Sequence, residues 1–294
     1  MNQHRTLATT ALLAVVLFWG LSWVAYRELY LYGMSGMSVS LAMTTVAVLC
    51  SGVFSFKLIA RRAWRGTPRY LIALIMLASA FSNVGFVWGM VHGEVMRVML
   101  LFYLMPVWSA LLAPLVLKER SNWVGNLAIG FGLLGAVIML YKPELGFPAP
   151  SNPAEWAGLL AGMGSGALNV LVRKTPELDD ELRSFFSLAG SVVLSAVWLQ
   201  FEAGPHLPTA EHVGGAVLIL LGLGVFLFMI NRLYQYGLRH LTTHQAVVIF
   251  PVELVIGAVS SWWIAGEVMG EPAMIGGALI VSAAFISAWW GKSH

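Results

Sequence analysis

The sequence predicts an all-α integral membrane protein: ten transmembrane helices in two inverted five-helix repeats, with both termini cytoplasmic. Three observations predict it. Hydrophobic residues make up 59% of the 294 and charged residues only 11%, whereas an ordinary soluble domain is about a quarter charged. Ten apolar stretches each approach the roughly 20 residues that a helix needs to cross the hydrocarbon. The basic residues concentrate in alternate loops.

The stretches lie at 7–26, 37–56, 70–91, 95–117, 123–141, 154–172, 184–203, 212–236, 242–264 and 272–290. The loops between them are short and punctuated by Gly66, Pro68, Pro143, Pro148, Pro153, Pro176, Pro205, Pro208 and Pro272. None is long enough to hold a soluble domain. The first stretch is too long for a signal-peptide core and is followed by further spans, so it is expected to stay in the membrane. With the N-terminus inside, fourteen of the seventeen Lys and Arg residues become cytoplasmic, leaving Arg27, Arg97 and Lys142 outside. This is the positive-inside bias. It accounts for the net charge of +3 without a nucleic-acid partner. The single cysteine, Cys50, sits in an apolar run and excludes an intrachain disulfide.

The halves divide at 1–142 and 143–294. Leu101 to Gly125, "LFYLMPVWSALLAPLVLKERSNWVG", recurs loosely as Ala246 to Gly276. Each has an apolar run, a mid-span proline (Pro106, Pro251), then a glutamate (Glu119, Glu267) before a glycine-containing helix. Five helices per half make the repeats antiparallel, the construction many transporters use to place two gates around a midplane site. With Trp19-Gly20 in the first span, this architecture resembles the EamA branch of the drug/metabolite transporter superfamily, and within it the YddG-type aromatic amino-acid exporters. The resemblance implies a carrier in a bacterial inner membrane, exporting aromatic and other hydrophobic amino acids by alternating access.

Polar side chains in hydrocarbon are costly and usually face a bundle interior or a wet cavity. In the first span Trp19, Ser22, Trp23 and Tyr26 share one helical face, at i, i+3, i+4 and i+7. Tyr26 and Trp23 lie near Arg27 and suit an interfacial aromatic belt. Trp19 is eight residues deeper, roughly 12 Å, and the belt does not explain it. The third span repeats the pattern with Ser79, Ser82, Asn83 and Phe86. Tyr103 precedes Pro106 by one turn, Ser165 and Asn169 are four apart, and Glu253 sits near the centre of the ninth span. The expected cavity wall is therefore Trp19, Ser22, Trp23, Ser79, Ser82, Asn83 and Tyr103, with Asn169 and Glu253. For the serines the competing reading is helix–helix hydrogen bonding. Glu253 reads as a proton-coupling or substrate-ammonium group, or equally as an acid bonded to a neighbouring helix.

Gly158, Gly162 and Gly166 form a small-residue stripe that favours close packing. Pro106 and Pro251, with Gly162 and Gly166, are the expected hinges. Gln235, Arg239, His240, His244 and Gln245 cluster around a cytoplasmic loop, and Glu94 with Arg97 forms an expected outer-surface ion pair.

No Lys or Arg lies near a span centre, which argues against phosphorylated or strongly anionic substrates. The first span has no acid, unlike the small multidrug antiporters of the superfamily. HExxH, CxxC, GxSxG and phosphate-loop patterns are missing, and neither charged rings nor a carbonyl filter suggests an ion channel. The expected partners are a neutral or zwitterionic small molecule and the lipid bilayer, with no metal or cofactor, the chain being a monomer or weak dimer. The alternatives are a proton-coupled efflux carrier for cationic compounds and an integral-membrane enzyme.

Overall fold

The computed structural model describes residues 2–118, 123–141, 149–240, 249 and 251–290. Among them the regular structure is entirely helical. The helices are α1 (Asn2–Leu31), α2 (Gly36–Ala60), α3 (Arg69–His92), α4 (Val95–Phe102), α5 (Met105–Leu117) and α6 (Trp123–Leu140). They continue with α7 (Pro153–Lys174), α8 (Asp180–Trp198), α9 (Val213–His240), α10 (Pro251–Ala265) and α11 (Glu271–Trp290). Five helical segments are long and apolar enough to cross a membrane: Thr6–Leu31, Gly36–Ala60, Arg69–His92, Val95–Leu117 and Ala210–Tyr234. Shorter apolar helices cover Gly125–Leu140, Val252–Ala265 and Glu271–Ile286.

Local chemistry sets several ends. Ser35, Asn152 and Asp179 each accept a backbone N–H from the first turn of α2, α7 and α8, satisfying donors that a helix start leaves open. Gly33, with φ +95°, turns the chain between α1 and α2, a conformation that costs glycine little. The segment Val95–Leu117 is two helices because Tyr103 and Leu104 form a turn and Pro106 stands in the first turn of α5. Proline donates no N–H and crowds the carbonyl four residues earlier, here that of Phe102.

Contacts sort the helix ends onto two faces. Arg27 near the end of α1 reaches the end of α3 and Glu267 beyond α10. Arg97 at the start of α4 reaches Glu155 at the start of α7. Glu202 beyond α8 joins the start of α2 to the end of α3. These ends form the α1–α2 face. On the α7–α8 face, Glu181 at the start of α8 meets Ser55 and Arg232 near the ends of α2 and α9. The packed pairs are α1 with α9 and α10, α2 with α8 and α9, α3 with α7 and α8, α4 and α5 with α7, and α6 with α11.

Glycine permits the closest of these approaches. A Cβ on Gly162 would lie 2.7 Å from the Phe102 carbonyl, the one crowded by Pro106. One on Gly166 would lie 2.6 Å from Trp108 Cβ and 2.7 Å from the Met105 carbonyl. The glycine stripe of α7 and the break between α4 and α5 are thus one feature, and Ser109 Oγ donates to the Gly166 carbonyl across it. On α1, a Cβ on Gly20 would meet Ile256 at 2.8 Å and the Glu253 carbonyl at 3.0 Å.

Gly166→Ala is therefore expected to force α5 and α7 apart and lower stability by about 1–3 kcal/mol, the usual range for an overpacked interior. Gly222→Ala, where an added Cβ meets nothing within 4 Å, should be neutral or slightly stabilising. Thermal unfolding of the two variants in detergent separates these outcomes.

Candidate functional site

A cavity of about 510 Å³ opens in the middle of the bundle and extends to the α7–α8 face. Helix α3 brings Ser79, Ser82, Asn83 and Phe86 to it, and α9 brings Leu227, Ile230, Asn231 and Tyr234 from the opposite wall. Both sets follow the i, i+3, i+4, i+7 spacing of a single helical stripe. Helix α1 adds Val15 and Trp19. Helix α7 adds Ser165, Leu168, Asn169 and Val172, α8 adds Asp180, Arg183, Ser184, Ser187 and Leu188, and Phe102, Met105 and Glu253 complete the wall.

Six of the nine expected wall residues line this cavity: Trp19, Ser79, Ser82, Asn83, Asn169 and Glu253. Trp19 stacks edge-to-face on Phe86, with ring centroids 5.7 Å apart, and Phe86 on Phe102 at 4.9 Å, a favoured aromatic geometry. Asn83 Nδ2 donates to the Ser79 carbonyl at 3.1 Å and to Ser191 Oγ at 3.3 Å.

Ser22, Trp23 and Tyr103 lie off the wall. Ser22 is buried and donates to the Trp19 carbonyl at 3.1 Å. The Trp23 indole donates to Ser260 Oγ at 3.0 Å and carries the Arg27 guanidinium 5.0 Å above its ring. Tyr103 is buried behind the wall, beside the Glu253 carboxyl. Of the expected hinges, Pro106, Gly162 and Gly166 meet at the α4–α5 break. Pro251 begins α10, and its side chain lies outside the described residues. The side chains of Gln235, Arg239 and His240, and His244 and Gln245 altogether, also lie outside them.

The charges are arranged unequally. Arg183 at the mouth pairs with Asp180 and donates to the carbonyls of Thr175 and Leu178 at 2.8 and 2.9 Å. It braces the α7–α8 turn, and its charge is balanced. Glu253, 8% exposed, is the remaining charged group among the described lining residues. The α8 contribution escaped the sequence reading because "DDELRSFFS" begins with the polar residues of a capped helix start. The signal is Ser184 and Ser187, three residues apart directly after Arg183.

Opposite the mouth, the bundle is closed by pairs that join residues before and after residue 142. Arg27 Nη2 meets Glu267 Oε1 at 2.8 Å. Arg97 Nε meets Glu155 Oε1 at 2.8 Å, whereas the expected partner Glu94 is 4.0 Å away and mostly exposed. Glu202 accepts from Trp88 Nε1 at 2.8 Å and from the Met37 backbone N–H at 3.1 Å.

Removing one member of a buried pair leaves an uncompensated charge, a loss of about 3–5 kcal/mol. Glu155, only 3% exposed, keeps donors from Ser151 and Asn152, so Arg97→Met is expected to cost less, about 1.5–3 kcal/mol, the loss of a charged hydrogen bond. Glu94→Gln should stay within about 0.5 kcal/mol, as for an exposed pair. Chemical denaturation of both variants tests the assignment.

A profile of the EamA-like transporter family matches residues 6–141 and again 152–289. A probable terminal-alkyne amino-acid exporter of Streptantibioticus cattleyicolor is 28% identical over 291 residues, covering 95% of this chain and 92% of the relative. Uncharacterised transporters of Archaeoglobus fulgidus and Bacillus subtilis are 27% and 25% identical over 200 and 181 residues. Those alignments cover 67% of this chain and 67% of the Archaeoglobus protein, and 60% of this chain and 57% of the Bacillus protein. A solved crystal structure superposes with TM-score 0.61 at 17% identity, over 97% of this chain and 99% of the other. It shares the fold.

Proposed function

This chain belongs to the EamA-like transporter family, and from that premise we propose that it exports aromatic and other hydrophobic amino acids by alternating access through the central cavity. It is a multi-pass membrane transporter rather than an enzyme. In this reading ten spans cross a bacterial inner membrane as two inverted repeats, 1–142 and 143–294. Both termini and the α7–α8 face are cytoplasmic, as the basic loops require. The cavity then loads from the cytoplasm, the direction an exporter needs.

Packing supports the repeat. A shift of 146 residues carries Trp19 and Gly20 onto Ser165 and Gly166, and a shift of 148 carries Met105 and Trp108 onto Glu253 and Ile256. The contact of Gly166 with Met105 and Trp108 is thereby matched by that of Gly20 with Glu253 and Ile256. The second shift also carries Ser79, Ser82, Asn83 and Phe86 onto Leu227, Ile230, Asn231 and Tyr234, and all eight line the cavity. The two family matches begin 146 residues apart and end 148 apart. In this register Pro106 corresponds to Leu254, so the two mid-span prolines, paired by their motifs, are not equivalent positions.

The observation that carries the substrate reading is the Glu253 carboxyl, without a cationic partner among the described residues, in a wall of aromatic and amide groups. An acid at this depth favours a cation beside it. Trp19, Phe86 and Phe102 offer ring surface to a flat apolar side chain or a nearby ammonium. Asn83, Asn169 and Ser82 offer donors to a carboxylate. A zwitterion with an apolar body matches all three. The amino-acid exporter among the relatives is consistent with this class.

Proteoliposomes containing the protein are expected to carry labelled phenylalanine with saturable kinetics. 3-Phenylpropionate, which lacks the ammonium, should be carried at least about tenfold less well, the discrimination of roughly one lost charged hydrogen bond. Glu253→Gln should narrow that difference. Saturable flux of a cationic dye with none of phenylalanine would favour the efflux alternative. Flux that does not saturate would overturn the carrier mechanism.

A further inference from the structure

The repeat-related walls are not used equally in this structure. On α7 the cavity is lined beyond Ser165 by Leu168, Asn169 and Val172, towards the open face. The shift of 146 places Ser22, Trp23 and Tyr26 at the corresponding positions of α1. Those three are buried, 4%, 2% and 0% exposed, under the closed α1–α2 face. We infer that Ser22, Trp23 and Tyr26 form the cavity wall in the opposite state of the transport cycle, while Leu168, Asn169 and Val172 withdraw into helix packing. The assignment rests on the alternating-access reading above.

The closed face, like the cavity side, carries buried polar atoms without partners among the described residues. The Tyr26 hydroxyl is fully buried beside Ser22, yet it makes no hydrogen bond of normal geometry among the described residues. Glu267 spends one oxygen on Arg27, and its Oε2 is buried without a partner there. Buried polar groups are normally satisfied, and exceptions call for a reason. Exposure to water or substrate in another state supplies one. Trp23 and Tyr26 pack within the main apolar cluster of the bundle, and the polar contacts that hold the closed face over them include the Trp23–Ser260 hydrogen bond and the Arg27–Glu267 pair. Their loss would uncover an indole and a phenol where the present wall offers an amide and two aliphatic groups. The wall facing outward is then the more aromatic of the two.

Site-specific thiol labelling tests the exchange without any transport measurement. In a Cys50→Ser background, single cysteines are placed by Ser22→Cys and by its repeat partner Leu168→Cys. An impermeant maleimide is then applied to each face separately, using whole cells and inverted vesicles. With the closing contacts intact, Leu168→Cys should label readily from the α7–α8 face and Ser22→Cys slowly from the α1–α2 face. Adding Glu267→Gln should speed Ser22→Cys labelling by about fivefold, while Leu168→Cys labelling falls only by the fraction of molecules that leave the present state. Ser260→Ala, which removes the second contact, should act in the same sense. In the double variant Glu267→Gln with Ser260→Ala, where the two states approach equal population, faster labelling at Ser22→Cys without a fall at Leu168→Cys would mean local fraying and would overturn the exchange, as would no change at Ser22→Cys in any variant. Failure of phenylalanine flux with reciprocal labelling intact would overturn only the substrate reading.

Discussion

Two close backbone approaches, Gly166 onto Met105 and Gly20 onto Glu253, hold the centre of this molecule in place. In lipid, helix association draws on packing and polar contacts, because apolar side chains gain nothing by leaving an apolar solvent. Glycine lets one helix reach the carbonyls of the next. Here it presses α7 against the start of α5, and α1 against the start of α10. The residues pressed upon, Met105 and Glu253, both line the cavity. The same contact that ties the bundle together therefore sets the floor of the site, and the cavity is the space left between two such junctions.

Charge is distributed around that space according to what each position can tolerate. At the mouth, Arg183 gives Nη1 to Asp180 and Nη2 to two backbone carbonyls and serves the α7–α8 turn. At the opposite face, the glutamates accept from arginine, tryptophan and backbone donors. Only at Glu253 does a charged group in the wall lie beside a neutral neighbour, Tyr103, among the described residues. Desolvating an acid is expensive, and a neutral neighbour offsets only part of that cost. A site kept in this condition favours a ligand that brings a positive charge. Among the described residues balanced charges hold the structure, and in the proposed reading Glu253 is left for the substrate.

The sequence disclosed depth and face better than it disclosed partners. The 3.6-residue stripe of α3 was legible because Ser79, Ser82, Asn83 and Phe86 stand out against an apolar background. The same stripe on α9 was half hidden, since Leu227 and Ile230 look like lipid-facing residues. Trp19 was separated from the interfacial belt by counting from Arg27, and it lines the cavity. Partners were another matter. Arg97 was matched with Glu94 because they are three residues apart, but the closer acid is Glu155, brought in by the packing of α4 on α7. Trp23 was placed on the wall by its helical face, yet Ser260 from α10 covers it. One helix's periodicity cannot report which neighbour stands in front of it.

That last difference bears on how a symmetric chain can have two unequal states. If the halves were identical, the two conformations would be related by a two-fold rotation about an axis in the membrane plane, and neither would be preferred. The chain breaks this equality at the wall positions themselves, with Trp23 and Tyr26 on α1 against Asn169 and Val172 on α7. In the present state the aromatic pair is buried, which removes more apolar surface from water than burying the amide and valine would. Against this stand the unsatisfied Tyr26 hydroxyl and Glu267 oxygen, which penalise the same closure. In the alternating-access reading proposed above the two terms oppose each other, and a substrate that binds the two states unequally would shift their balance. A stronger closure, with every polar atom paired, would hold the α1–α2 face shut and leave the carrier open only to the side from which it loads.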